Sequence, residues 1–68
     1  MGRGSEIVDL DLEFLVETES AMKFRDAYGK EAWLPKSQID TGMAGTPKPH
    51  ELVAVSLPQW LAEEKDLV

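Results

Sequence analysis

Residues 8–17 read VDLDLEFLVE, a stretch in which apolar and acidic side chains alternate. A period of two is the repeat of a β-strand, whose successive side chains point to opposite faces of a sheet. One face is predicted to hold Val8, Leu10, Leu12, Phe14 and Val16, and the other Asp9, Asp11, Glu13 and Glu17. The stretch therefore predicts a long strand with one buried face and one acidic face in solvent.

A polar ETES connection leads from this strand into a second one, AMKFRD at positions 21–26. Its apolar residues Met22 and Phe24 alternate with the basic residues Lys23 and Arg25. Opposite charges on neighbouring strands stabilise a pairing by about 0.2 to 1 kcal/mol each. The pattern predicts a hairpin in which the basic face of the second strand lies beside the acidic face of the first.

Two more strands are predicted further along the chain. Residues 31–34, EAWL, form a short third strand that Pro35 ends or leaves at a sheet edge, and a single helical turn at 36–39 follows. Residues 51–55, ELVAV, form the fourth strand. Because this last run is almost continuously apolar, it is expected to be covered on both faces.

The chain is predicted to end in a short amphipathic helix. Ser56 is expected to cap it and Gln59 to reach back in a capping box, while Leu57, Trp60 and Leu61 share its apolar face. A helix of about ten residues is marginal in water on its own. It must therefore dock on the sheet.

These elements predict a mainly β (α+β) fold: a small bent antiparallel sheet or partly open barrel of four or five strands with one short C-terminal helix. Residues 1–5 are interpreted as a disordered leader or tag remnant, and 6–68 as a single small domain with a flexible Gly/Pro loop at 40–50. The predicted core comprises Val8, Leu10, Leu12, Phe14, Met22, Phe24, Trp33, Leu34, Ile39, Leu52, Ala54, Leu57, Trp60 and Leu61.

Composition restricts the classes of function. The 68 residues contain no cysteine, which excludes disulfides and cysteine-ligated metals, and no apolar run long enough for a membrane helix. A soluble protein of a reducing cytoplasm is expected. Thirteen carboxylates against seven Lys and Arg give a formal charge of -6, which disfavours direct nucleic-acid binding.

No residue set in the sequence predicts catalysis, a cofactor or a metal site. The IDTG sequence at 39–42 is similar to the aspartic protease loop, but Asp-x-Gly is also an ordinary turn sequence, and no second motif supports a protease. His50 is the only histidine, so a typical transition-metal site is not expected. The chain is predicted not to be an enzyme and to need no cofactor.

Two surfaces are candidates for recognition. The first is the acidic stripe of Asp9, Asp11, Glu13, Glu17 and Glu19, which suits a basic protein surface of the kind that binds nucleic acid. The alternative is a nucleic-acid face made of Lys23, Arg25, Trp33 and Lys36.

Two segments carry a resemblance to a known group of proteins. Residues 33–39, WLPKSQI, and 57–65, LPQWLAEEK, resemble a group of small phage and prophage proteins over about residues 6–67. The longer Gly/Pro loop at 40–50 departs from that group. The resemblance brings no catalytic residues with it and implies a bacterial mobile-element setting.

The resulting functional hypothesis is a non-enzymatic phage protein that binds a host protein. The acidic surface makes inhibition of a nucleic-acid-handling defence complex the expected role. A nucleic-acid-binding small barrel and a structural accessory subunit of a phage complex are the alternatives. The partner is expected to be a host or phage protein, with no membrane involved, and the sequence does not determine the oligomeric state.

Overall fold

A computed structural model describes residues 6–67 and contains one antiparallel sheet followed by one helix. Strand β1 is Ile7–Glu17, β2 Ala21–Arg25, β3 Glu31–Pro35 and β4 Leu52–Pro58; a 3₁₀ turn spans Lys36–Gln38 and helix α1 spans Gln59–Glu64. The strand order is β3-β2-β1-β4. The predicted mainly β fold with a short C-terminal helix is confirmed, and the sheet is open. The leader predicted at 1–5 lies outside the described residues.

The hydrophobic core lies between the inner face of the sheet and α1. Phe14 and Phe24 are opposite each other on β1 and β2 and make a T-shaped contact, with ring centroids 5.8 Å apart. Leu61 and Ala62 of α1 are buried in the same cluster. The remaining buried members are Leu12, Met22, Leu34, Val53, Val55 and Leu57. The helix is therefore the second layer of the domain.

A β-bulge reverses the alternation at the end of β1. Phe14 is opposite Phe24, but Val16 is opposite Lys23, so Leu15 is an extra residue in the ladder. As a consequence Val16 lies on the outer face and Glu17 lies opposite the buried Met22. The predictions of an inward Val16 and an outward Glu17 are wrong, because uninterrupted alternation was assumed for the whole strand.

Strand β4 is an edge strand with one exposed face, so the expected cover on both faces is wrong. Leu52 is 69% exposed and Ala54 is also exposed, whereas Val53 and Val55 are buried. Trp33, also placed in the predicted core, lies on the outer face and is 41% exposed. In both strands the period of two decides which side chains are buried, and hydrophobicity alone does not.

The junction between β4 and α1 has no side-chain cap. Pro58 is the N-cap residue of a helix of 6 residues, and Ser56 lies inside β4 instead of capping the helix. Gln59 donates its side-chain amide to Glu63, one helical turn later, at 3.0 Å. The predicted capping box and ten-residue helix are therefore wrong, although the helix and its apolar contacts are present.

The segment between the 3₁₀ turn and β4 is held to the sheet at several points. Asp40 and Ser56 form an isolated antiparallel β-bridge on the side of β4 that faces away from β1. Pro47 is buried, and the His50 N–H donates to the Phe14 carbonyl at 2.7 Å. This segment therefore crosses from the β3 side of the domain to the β4 side.

Candidate functional site

The outer face of the sheet is the main candidate for recognition. Helix α1 covers the opposite face, and nothing within residues 6–67 forms a second layer over this one. Its side chains come from all four strands, since Leu52, Glu13, Arg25 and Glu31 stand in one row across β4, β1, β2 and β3. The face combines charged and large apolar groups.

An ionic cluster of Glu13, Lys23, Arg25, Glu31 and His50 occupies the middle of this face. The Arg25 guanidinium donates twice to the Glu13 carboxylate, at 3.2 and 3.1 Å. Lys23 Nζ lies 3.0 Å from Glu31 Oε1, and His50 Nδ1 lies 2.5 Å from Glu13 Oε2. These contacts join β1, β2 and β3 with His50, which lies two residues before the start of β4.

The ionic cluster favours the ionised form of Glu13. The hydrogen bonds from Arg25, and then the contact with His50, lower the pKa of the Glu13 carboxyl below its ordinary value. The same pairing raises the pKa of Arg25. Glu13 was predicted as a member of the acidic stripe, beside the basic face of β2, and its charge is compensated there by the bidentate Arg25.

Only part of the predicted acidic stripe forms a continuous surface. Asp9 and Asp11 stand side by side on the outer face of β1, about 6.8 Å apart by strand geometry. Asp9 accepts a hydrogen bond from the Ser56 hydroxyl at 2.5 Å, and Asp11 has no polar partner among residues 6–67. Glu19 lies in the turn before β2, away from both.

Asp9 and Asp11 instead adjoin exposed apolar residues of β4. Asp11 is directly opposite Ala54, and Leu52 follows on the same face. We call Asp9, Asp11, Leu52 and Ala54 the acidic–apolar patch. An open depression of about 450 Å³ between Asp11, Arg25 and Leu52 extends it.

Glu17 belongs to a second cluster on the other side of the sheet. Lys36 Nζ lies 2.9 Å from one carboxylate oxygen and the Thr46 hydroxyl donates to the other at 2.7 Å. Both contacts lower the pKa of Glu17, Lys36 being the larger cause. This cluster fixes the 40–50 segment to the end of β1, which is a structural role.

The alternative nucleic-acid face is assembled only in part. Lys23, Arg25 and Trp33 lie together, with Lys23 Nζ 5.8 Å from the Trp33 ring centroid. Lys36 is separated from them and bonded to Glu17. Each of the three cations is paired with a carboxylate, so a phosphate would have to displace one.

The remaining candidates show no assembled chemistry. Asp40 uses its carboxylate to accept the Gly42 N–H at 2.8 Å, which is the Asx turn that the IDTG sequence also predicts. In the part of the chain that the structure describes, no three His, Asp or Glu residues are grouped to hold a metal ion. No helix among the described residues is long and apolar enough to cross a membrane.

Comparison with protein-family models, curated proteins and solved structures finds no match to this chain.

The exposed part of β4 and the position of His50 were missed by the sequence interpretation. A signal for the former is present, because the larger Val53, Val55 and Leu57 alternate with the smaller Ala54 and Ser56. The position of His50 had no local signal. It follows from a bulged pairing of residues 50 and 51 with Phe14, in which the His50 backbone has a φ of 68°.

The carboxylates of Glu13 and Glu17 predict acid sensitivity. A lowered native-state pKa contributes stability above the ordinary carboxyl pKa of 4.5, and this contribution is lost as the pH falls through the lowered value. We expect the urea concentration at which half of the protein is unfolded to decrease once the pH is lowered beneath about 4.5. Glu13→Gln should flatten this dependence, and Glu19→Gln should leave it unchanged. Identical pH dependence in the two variants would contradict the assignment.

Proposed function

We propose that this chain is a non-enzymatic protein-binding module of a phage or mobile element, which binds a host protein through the acidic–apolar patch. Its proposed role is to inhibit a nucleic-acid-handling defence complex in the bacterial cytoplasm. The observation that carries the proposal is the Asp11 carboxylate, which has no polar partner among residues 6–67. It lies beside the exposed Leu52, on a sheet face that no other element of these residues covers. The phage setting rests on the resemblance of residues 33–39 and 57–65.

The chemistry of the patch indicates the kind of partner surface. Leu52 and Ala54 offer apolar area, and Asp9 and Asp11 offer two carboxylates on one strand. The depression beside Leu52 is lined by Asp11 and by the Glu13–Arg25 pair, and the Asp11 carboxylate suits an arginine or lysine side chain with an apolar stem. Proteins that bind nucleic acid present such basic side chains in number.

The state of the basic residues supports a protein partner over nucleic acid. Lys23, Arg25 and Lys36 are each bound to a carboxylate of the chain itself, and the formal charge is -6. Binding of a phosphate backbone depends on cations that are available to replace its counterions. In contrast, the Asp11 carboxylate of the acidic–apolar patch has no polar partner among the described residues.

Charge reversal at Asp11 tests this proposal. Asp11→Lys and the matched control Glu64→Lys each change the net charge by the same amount, the first in the patch and the second on the exposed side of α1. The unaltered chain and both variants serve as baits in a bacterial lysate treated with nuclease. The captured protein is purified, and its affinity for each bait is measured by titration. We expect Asp11→Lys to weaken binding about tenfold or more, with binding that declines as salt rises.

The two baits distinguish a specific patch from a general effect of charge. Equal binding by the Asp11→Lys variant and the unaltered chain would contradict the proposed patch. Equal weakening by Glu64→Lys would show that only the net charge matters. Loss of all capture after nuclease treatment would favour a nucleic-acid-mediated association and overturn the protein-binding function.

A further inference from the structure

The free edge of β3 presents backbone groups in a known pattern. Lys36 N–H donates to the Ser20 carbonyl and Asp26 N–H donates to the Lys30 carbonyl, each at 2.9 Å. Hydrogen-bonded pairs alternate with non-hydrogen-bonded pairs in an antiparallel ladder. These two bonds therefore fix the phase of the β2–β3 ladder, and the N–H and C=O groups of Glu31 and Trp33 point away from β2.

This edge has no partner in the described part of the chain. No backbone hydrogen bond joins Glu31 or Trp33 to a group outside the sheet within residues 6–67. After the 3₁₀ turn, the chain leaves β3 and reaches the opposite edge of the sheet, where Asp40 pairs with Ser56. The β4 edge of the sheet is thus paired with Asp40, whereas the β3 edge has no such partner within residues 6–67.

We infer that the β3 edge pairs with the β3 edge of a second copy of this chain, antiparallel and with the two-fold axis at Trp33. The two Trp33 residues then exchange two hydrogen bonds. Each Glu31 N–H donates to the carbonyl of Pro35 in the second copy, which adds two more. This register matches the two strands over their full length, from Glu31 to Pro35.

The backbone of Pro35 is compatible with this register. Pro35 has no N–H, so the Glu31 carbonyl opposite it stays in water, where the edge position leaves it accessible. A register centred on Leu34 would place each Pro35 opposite Trp33 of the other copy, and two hydrogen bonds would be missing because Pro35 has no N–H. A register centred on Ala32 would leave Pro35 opposite Gly29, which lies in the preceding turn.

The side chains at this edge fit a second copy of themselves. The Trp33 rings, 41% exposed in one chain, meet across the axis on the outer face. On the inner face the small Ala32 stands opposite the large Leu34. Glu31 introduces no uncompensated charge, because Lys23 and Arg25 lie at 3.0 and 3.6 Å from its carboxylate.

The dimer goes beyond the proposed function and does not rest on it. The dimer joins the outer faces of the two copies into one sheet of eight strands. At about 4.8 Å between neighbouring strands, the two β1 strands lie about 24 Å apart. Two copies of the acidic–apolar patch would then face the same side. Because two short strands bury little surface, the association is expected to be weak and to depend on concentration.

Sedimentation equilibrium from micromolar to millimolar concentration tests the dimer. We expect the mean mass of the unaltered chain to rise above its monomer value of 7.6 kDa with concentration. Trp33→Lys, which brings two cations together at the axis, should stay monomeric. Leu52→Lys is the matched control, since it also places a lysine at an exposed apolar position of the outer face, and it should associate as the unaltered chain does.

Amide hydrogen exchange of the unaltered chain supplies a measurement that needs no substitution. The Trp33 N–H should exchange rapidly in dilute solution and slow at high concentration, while the Ala32 N–H, already bonded to β2, should be protected in both. A mass of 7.6 kDa at every concentration would overturn the inference. So would association that Leu52→Lys abolishes and Trp33→Lys leaves intact.

Discussion

Replacing Phe24 with alanine is expected to remove a large fraction of the free energy of unfolding of this chain. Phe24 is 0% exposed and makes its T-shaped contact with Phe14 at the centre of the core. Truncation of a buried phenylalanine costs about 3 to 5 kcal/mol. At about 0.05 to 0.15 kcal/mol per residue, the total stability of 68 residues is about 3 to 10 kcal/mol.

Trp33→Ala is the control for the loss of an aromatic side chain. Trp33 lies on β3 beside β2, is larger than phenylalanine, and faces solvent. We expect it to cost about 1 kcal/mol or less in urea denaturation at low protein concentration. Equal destabilisation by the two substitutions would contradict the assignment of the inner and outer faces.

The contrast between these two aromatic residues shows what the sequence could predict. In β2 the alternation of Met22 and Phe24 with basic residues defines the buried face without ambiguity. In β3 the same rule places Trp33 with Glu31, on the exposed face, but its hydrophobicity favoured the core. Hydrophobicity is a poor guide for Trp33, because no second layer covers the outer face of the sheet within residues 6–67.

The candidate site was harder to predict than the fold because it depends on pairing between distant segments. The bulge at Leu15 moves Glu17 to the opposite face, and a bulge of this kind has no required residue type. Asp11 differs from Glu13 because Glu13 has two partners, Arg25 opposite it in the β1–β2 register and His50 from the segment before β4. Sequence alternation predicts a stripe of carboxylates, and register decides which of them is free.

Replacing Leu61 with alanine is the second change with a large expected effect. Leu61 is 3% exposed and belongs to the cluster that contains Phe24 and Leu34. A helix of 6 residues without a side-chain cap is not stable in water, so its structure depends on this contact. We expect a loss of about 2 to 5 kcal/mol. Glu64→Ala, on the exposed side of the same helix, should change stability by about 0.5 kcal/mol or less.

The two tryptophans allow the cooperativity of this loss to be measured. Trp60 packs at the edge of the core in α1, and Trp33 lies on β3 in the sheet. In Trp33→Phe and Trp60→Phe backgrounds, the remaining tryptophan reports the unfolding of one element. If helix and sheet share one core, Leu61→Ala should shift both urea transitions to the same lower midpoint. A shift reported by Trp60 alone would contradict the shared core, because it would show that the sheet stays folded after the helix has unfolded.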